Sequence, residues 1–448
     1  MLRIAFVLLI LAIGFRYSFK HPFYVLLFYL WMAYFRPEQW LWWDFLSQFR
    51  LSTVLGVWLL VSTVFSGERF RLGTGPLLLF AFMLQCVIST GLSPASAAAW
   101  PYVIEFGKVV AIGYMMTVLI TTEERLRQAL IVIAMSLGFE GAKQGLTELI
   151  IHPGSQNLNS WPMLGDNNGV AVGMLMLTSI LLCLVATEKG KYTRRVFQVM
   201  ALGTLYRALS TYSRGGFVAA AVLGLHHLAR SSKRGRAILA IVVACAIIAP
   251  ALPDAFWDRM ATIGPSVARE GDEDDSVRSR LHFWSVATSM AQDRPFFGVG
   301  QNAFNEMYDR YDSSFGLYGI GRSVHSSWFG ILAELGIPGL FLFVALFLGA
   351  FGTTIRVRRA ARTEPRLANL AAYGNAIEAG LLVMVVGGAF VPFQYNEMVW
   401  HFLALSMVVG RLAKPQMAEL AAPEMRISRP VGQSPAPTLA RVGARPLR

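Results

Sequence analysis

The chain has 448 residues, 55% of them hydrophobic and 15% charged, with a mean hydropathy of +0.49. Soluble proteins carry roughly 25% charged residues, so the shortage excludes a large soluble enzyme on one anchor, and the apolar surplus excludes a disordered chain. The formal charge of +13, from 40 Lys and Arg against 27 Asp and Glu, gathers in short loops and the tail, a topology signal rather than a nucleic-acid face.

A bilayer-spanning helix needs about 20 apolar residues. In chain order, a first short helix covers Leu2–Phe15; it resembles a signal peptide, but no small-x-small cleavage site follows it. Apolar runs then predict spans at 22–35, 51–66, 73–91, 99–120, 126–150, 169–187, 196–211, 214–229, 236–252, 326–352, 369–390 and 397–412. The expected fold class is an all-α polytopic integral membrane protein with twelve or thirteen transmembrane helices. Cys86, Cys183 and Cys245 fall inside apolar runs and read as small core residues.

The short loops 188–195, 230–236 and 355–366 are basic, which predicts a cytoplasmic side. Alternation then places 152–168, 210–216, 253–325 and 391–396 on the opposite, periplasmic face. Loop 253–325 holds eleven acidic and seven basic residues and is the only sizeable hydrophilic insertion. Three regions follow: an N-terminal membrane region over 1–120 with about five spans, a membrane core over 121–412 that includes this loop, and a disordered basic cytoplasmic tail over 413–448. No solenoid repeat or inverted half-repeat is visible.

Charges within spans are costly and point to function by default. Glu105 and Lys108 are three apart and can pair on one helix face, as can Glu140 and Lys143. Lys143 also leads through Gln144-Gly145 towards loop 152–168 and could instead face a phosphate. Arg207 and Arg214 bracket Ala-Leu-Ser-Thr-Tyr-Ser at an outer boundary. In Ser213-Arg214-Gly215-Gly216 an arginine stands where the positive-inside trend disfavours it, backed by glycines at a helix start, which suits an anion. The plain alternative is an arginine snorkelling to the interface. Arg278 and Arg280 open an amphipathic stretch that continues through Phe283 and Trp284. The acidic run Glu270–Asp275 offers oxygen ligands without a defined spacing and reads as a solvated loop. His325 stands at the outer entrance of a span, on the expected face of Arg214 and Arg280, and is the candidate general base.

These residues form a recognisable set. His325-Ser326-x9-Gly336-x-x-Gly339 resembles the His-[Asn/Ser/Gln]-x9-Gly motif of bacterial O-antigen ligases. Ser213-Arg214-Gly215-Gly216, Ser279-Arg280-x3-Trp284 and Pro295-x2-Gly298-x-Gly300-x3-Phe304 resemble the wider ligase and polymerase superfamily. Lys143-Gln144-Gly145 followed by Gly165-Asp166-Asn167-Asn168 is most similar to the O-glycosylation ligases associated with exosortase systems. The resemblance spans about 143–339; residues 1–120 share only a short apolar start and an aromatic stretch at 38–46. Loop 152–168 departs from the glycine-rich form of that subgroup.

The resemblance implies a glycosyltransferase in the bacterial inner membrane, with its active site facing the periplasm. A glycan would pass from a polyprenyl-diphosphate carrier to an acceptor hydroxyl on a lipid, a protein or another surface molecule. His325 would serve as base. Arg214 and Arg280 would meet the diphosphate, with Lys143 and Arg207 as weaker candidates, and Asp166, Asn168 and Ser326 in secondary roles. With arginines on the phosphates, neither metal nor cofactor is expected. The alternatives are a polymerase that extends the glycan on its own carrier and, less in keeping with motifs gathered at one face, a transporter or flippase.

Overall fold

The computed structural model describes residues 2–40, 51–231 and 273–421, with isolated positions between 234 and 257. Its helices are α1 (Leu2–Ser18), α2 (Pro22–Phe35), α3 (Pro37–Trp40), α4 (Leu51–Phe65), α5 (Thr74–Gly91), α6 (Ser96–Leu119), α7 (Glu123–Ile151) and α8 (Asn167–Thr187). There follow α9 (Lys191–Leu209), α10 (Arg214–Arg230), α11 (Glu273–Asp293), α12 (Phe304–Tyr311), α13 (Ser327–Ala360), α14 (Ala368–Gly387) and α15 (Glu397–Ala421). Among the described residues the only β pairing is an isolated bridge, Trp161–Gly165. The protein is an all-α polytopic membrane protein, as its composition requires.

Among the described residues, six helical segments are long and apolar enough to cross a bilayer: α5, α6, α7, α8, α13, and α14 with its 3-10 lead from Pro365. The sequence predicts twelve or thirteen spans, and the difference has local causes. The apolar helices α1, α2 and α4 are short. Helix α9 opens on Lys191, Arg194 and Arg195, and α15 carries Glu397, Arg411 and Lys414. The expected span 236–252 lies almost wholly outside the described residues. Helix α15 continues to Ala421, past residue 412 where the tail was expected to begin. The remainder of the tail, 422–448, is outside the described residues.

Helix starts are set by side-chain caps. Thr122, Asp166, Ser213 and Ser326 each accept a hydrogen bond from the first turn of α7, α8, α10 and α13, satisfying amides that would otherwise lack partners. Helix α8 is apolar on all sides and lies against α7, α9, α10 and α14, the surroundings such a helix needs. An aromatic knot ties α5, α6, α13 and α15: Trp400 lies 4.8 Å from both Phe82 and Phe106 between ring centroids, and Phe82 lies 5.9 Å from Phe343.

The connections between helices gather at two ends. At one end Asn157 N donates to Ser210 O (2.8 Å), Arg36 to Pro162 O (3.1 Å) and Ser327 N to Gly388 O (2.6 Å). At the other, basic end Arg127 pairs with Glu188 (2.5 Å) and Asn369 donates to Glu123 (2.8 Å). A second, smaller core of Phe283, Met290, Phe304, Met307 and Tyr308 packs α11 and α12 together and reaches Ala333 of α13. The segments carrying the sequence motifs meet at the first end.

Candidate active site

The site is built around a break in α13. Gly336 has φ +69, a left-handed conformation, inside an otherwise helical run. A Cβ there would lie 2.5 Å from Pro295 O, so only glycine fits. The break frees helix carbonyls, and the segment after α11 supplies donors to them. Val299 N donates to Ala333 O (2.9 Å) and Gly300 N to Glu334 O (3.0 Å), while Ile337 N donates to Pro295 O (2.8 Å). The Pro295-x2-Gly298-x-Gly300 motif is therefore a loop seated in a broken helix. Helix α5 and the turn after it hold it from behind: Gln85 donates to Phe296 O and Leu335 O (both 2.8 Å), Ser89 to Glu334 O (2.7 Å), and Ser93 of the turn to Val299 O. The nine residues between Ser326 and Gly336 are the short half-helix that carries His325 at its outer end.

His325 has φ +47 and is half-buried. The two residues after it are anchored: Ser326 caps α13, and buried Ser327 donates to Val391 O (2.7 Å) while accepting from Phe393 N (2.8 Å). Its ring lies 6.0 Å from that of Phe283. Phe283 also carries the Arg322 guanidinium over its face at 5.7 Å, a cation–π arrangement. Helix α11 is held in place by Trp284 stacked on Phe329 of α13, at 5.1 Å and 10°. Ser279, Arg280, Phe283, Leu317, Tyr318, Arg322 and His325 line an open cavity of about 510 Å³. Burial pulls the His325 imidazole below its ordinary pKa; Arg280 and Arg322 add to this, and Asp166 opposes them. The neutral ring, with a lone pair free to accept a proton, is thus the favoured form at neutral pH.

Asp166 and Asn168 stand beside this cavity in a connected network. Asp166 accepts from Gly169 N (2.9 Å) and from the Asn168 amide (3.3 Å). Asn168 accepts from Ser213 Oγ (2.7 Å), which in turn accepts from Gly216 N (3.2 Å). The Gly-Asp-Asn-Asn and Ser-Arg-Gly-Gly motifs are therefore one unit that fixes two helix starts side by side. Arg214 is the first residue of α10 and is half-buried. It is not among the residues lining the His325 cavity.

The two weaker arginine and lysine candidates are placed elsewhere. The Arg207 side chain is fully enclosed and donates to Gln144 (3.3 Å), Ser210 (3.4 Å), Asn157 (3.2 Å) and Asn159 O (3.3 Å). Glu148 lies 4.0 Å away, accepting from Ser210 Oγ (2.5 Å) and from the Asn157 amide. This cluster staples loop 152–168 to the α9–α10 turn. Lys143 pairs with Glu140 at 2.7 Å, and Lys108 pairs with Glu105 at 2.6 Å. Gly145 serves packing, since a Cβ there would overlap Gly203 O of α9. The acidic run 270–275 lies outside the residues whose side chains are described.

Two features escape sequence reasoning. Arg322 lines the cavity, and its signal was its position three residues before His325. The polar face Gln85, Ser89 and Ser93 supports the site from behind; its signal was a four-residue period of polar residues around an apolar helix. A second cavity, of about 260 Å³, opens between Arg36, Tyr102, Glu105, Gln301, Tyr395 and Glu397, where Arg36 and Glu397 pair at 3.3 Å.

Comparison with known families adds to this geometry. Residues 199–344 match the O-antigen ligase family, a stretch that contains Arg214, Arg280, the seated loop, His325 and the broken helix. Residues 1–188 match a family of unknown function (DUF5935). No curated protein matches the chain. Over residues 199–344, therefore, this multi-pass membrane protein carries a region that matches the O-antigen ligase family, which supports a function of the ligase or polymerase type in general.

Proposed function

We propose that the protein is a glycan ligase acting on the periplasmic face of the bacterial inner membrane, taking its glycan from a polyprenyl-diphosphate carrier. The observation that carries this reading is the cavity in which a half-buried histidine faces two arginines, Arg280 and Arg322. His325 takes the proton of an acceptor hydroxyl as its oxygen forms a bond to the anomeric carbon. The bond from that carbon to the phosphate oxygen breaks, and the lipid diphosphate leaves with the electron pair. Fixed guanidinium groups suit the charge that develops on this leaving group. Arg214, at an adjoining helix start, adds a second positive edge. Asp166 and Asn168 hold that helix start in place, and Ser326 fixes the backbone under His325. Arg207, enclosed among loop 152–168 residues, supports that loop rather than the diphosphate, and Lys143 is engaged by Glu140 of its own helix.

The match to the ligase family and the His-Ser-x9-Gly spacing favour transfer to a separate acceptor over chain extension on the carrier. The acceptor is a hydroxyl on a lipid, a protein or another surface molecule. The test is transfer from a lipid-linked glycan by the purified protein. His325→Ala should lose roughly 10²–10⁴-fold in rate while still binding the donor, whereas Arg280→Ala and Arg322→Ala should raise the donor KM. Wild-type transfer by the histidine variant would overturn the reading. In cells lacking the protein, full-length polymer should accumulate on the carrier; accumulation of single repeat units would instead identify a polymerase.

A further inference from the structure

The connection between α12 and α13 presents three large apolar side chains to the surroundings: Phe315 is 99% exposed, Leu317 76% and Ile320 81%. Such a cluster on an extramembrane loop is unfavourable in water unless something covers it. The loop is nevertheless firmly held. Asp312 accepts from Ser314 N (2.9 Å), Ser314 Oγ (2.6 Å) and Gly316 N (2.7 Å), and contacts His282 Nε2 at 2.6 Å. Burial alone would raise its pKa, but these hydrogen bonds outweigh burial and hold it well below the usual carboxylate range. At the far end Asp309 accepts from Gly321 N (2.9 Å). Phe315, Gly316, Gly319 and Gly321 all have positive φ. Two aspartates and an unusual backbone thus fix an apolar tip in an outward position.

The neighbours of the tip indicate what covers it. Leu317 and Tyr318 also line the cavity of Arg280, Arg322 and His325, so the apolar surface begins at the rim where the cationic surface ends. A ligand matching that order carries an apolar chain joined directly to a polyanion. A nucleotide-linked sugar would put a polar nucleoside on the tip. We infer that the loop 312–321 is a platform for the isoprenoid chain of the lipid-linked donor, gripping the units next to the diphosphate. This rests on the donor class proposed above. The platform selects donors by their lipid, and it leaves glycan and acceptor to other surfaces.

The test separates chain from diphosphate. A fluorophore sensitive to polarity is attached at Leu317→Cys in a Cys245→Ala background; Cys86 and Cys183 are buried. A long-chain polyprenyl diphosphate should shift its emission to the blue, and inorganic diphosphate should not. The double variant Phe315→Ser, Ile320→Ser, which leaves the cavity lining intact, should bind the polyprenyl diphosphate at least about tenfold more weakly, since each lost apolar contact is of the order that such a factor needs. Its binding of inorganic diphosphate should be unchanged. A blue shift in plain bilayers without donor would make the bilayer the occupant and overturn the inference. Equal binding of the long-chain lipid by variant and wild type would do the same. Failure of the donor reading itself is seen separately, as Arg280→Gln binding inorganic diphosphate as well as wild type does.

Discussion

At the scale of single residues, the environment of His325 makes opposing predictions about pH. Burial and the two arginines lower its pKa, and Asp166 raises it. The base form is therefore kept to lower pH than in a free histidine, and the acid limb of the transfer rate falls below the ordinary histidine range. Replacing Arg280 by Gln removes a lowering charge, so the limb should move to higher pH. Asp166→Asn removes the opposing charge while retaining an oxygen to cap α8, and the limb should move to lower pH. A pH–rate profile of the two variants reads both signs, and a common direction would refute the electrostatic account. Arg207 belongs to the scaffold by the same reasoning. Arg207→Met leaves the enclosed Glu148 without its cation, a loss of about 3–5 kcal/mol for a buried pair. A lower Tm in detergent with an unchanged donor KM is the expected outcome.

At the scale of elements, the broken helix α13 has the sharpest consequence. Gly336→Ala must adopt a positive φ and meet Pro295 O at 2.5 Å, costing about 1–3 kcal/mol from backbone strain before any overlap is counted. Gly349 lies in the same helix, and a Cβ there meets nothing within 4 Å, so Gly349→Ala should leave Tm unchanged or raise it. Thermal unfolding of the two variants distinguishes a local requirement for the break from general sensitivity of the helix. Most elements were legible in the sequence. The spans at 22–35, 51–66, 73–91 and 169–187 correspond to α2, α4, α5 and α8 because each is an apolar run bounded by proline, glycine or charge. The partners of charged residues were less legible. Lys143 and Arg207 have the composition of ligand-binding groups; the spacing of Glu140 offered the first a partner without deciding for it, and only the fold shows Gln144, Asn157 and Glu148 around the second. Arg322 was hidden for the opposite reason: its place three residues before His325 does not set it apart from other loop charges until the loop folds over the cavity.

At the scale of the whole molecule, the first family match ends at residue 188 and the second begins at 199, within α9, yet the structure is not divided there. Helix α9 packs on α7 and α8, and the Arg207 cluster joins side chains from both regions. Arg36 pairs with Glu397 across nearly the whole length of the chain. Residues 1–188 and 199–448 produced as separate chains should each fail to fold alone in membranes and should co-purify when made together. Limited proteolysis of the separate and combined pieces checks this, and a folded, protease-resistant fragment from either one would contradict it. The support of α13 by α5 extends the point to inheritance. Gln85 and Ser89 belong to the region of unknown function, and their acceptors are backbone carbonyls of the ligase region. Because a carbonyl is present whatever the side chain, no compensating change at 296, 334 or 335 can replace a lost donor. Lineages that keep the break at 336 should therefore keep hydrogen-bond donors at 85 and 89, which ties the evolution of the first region to the second.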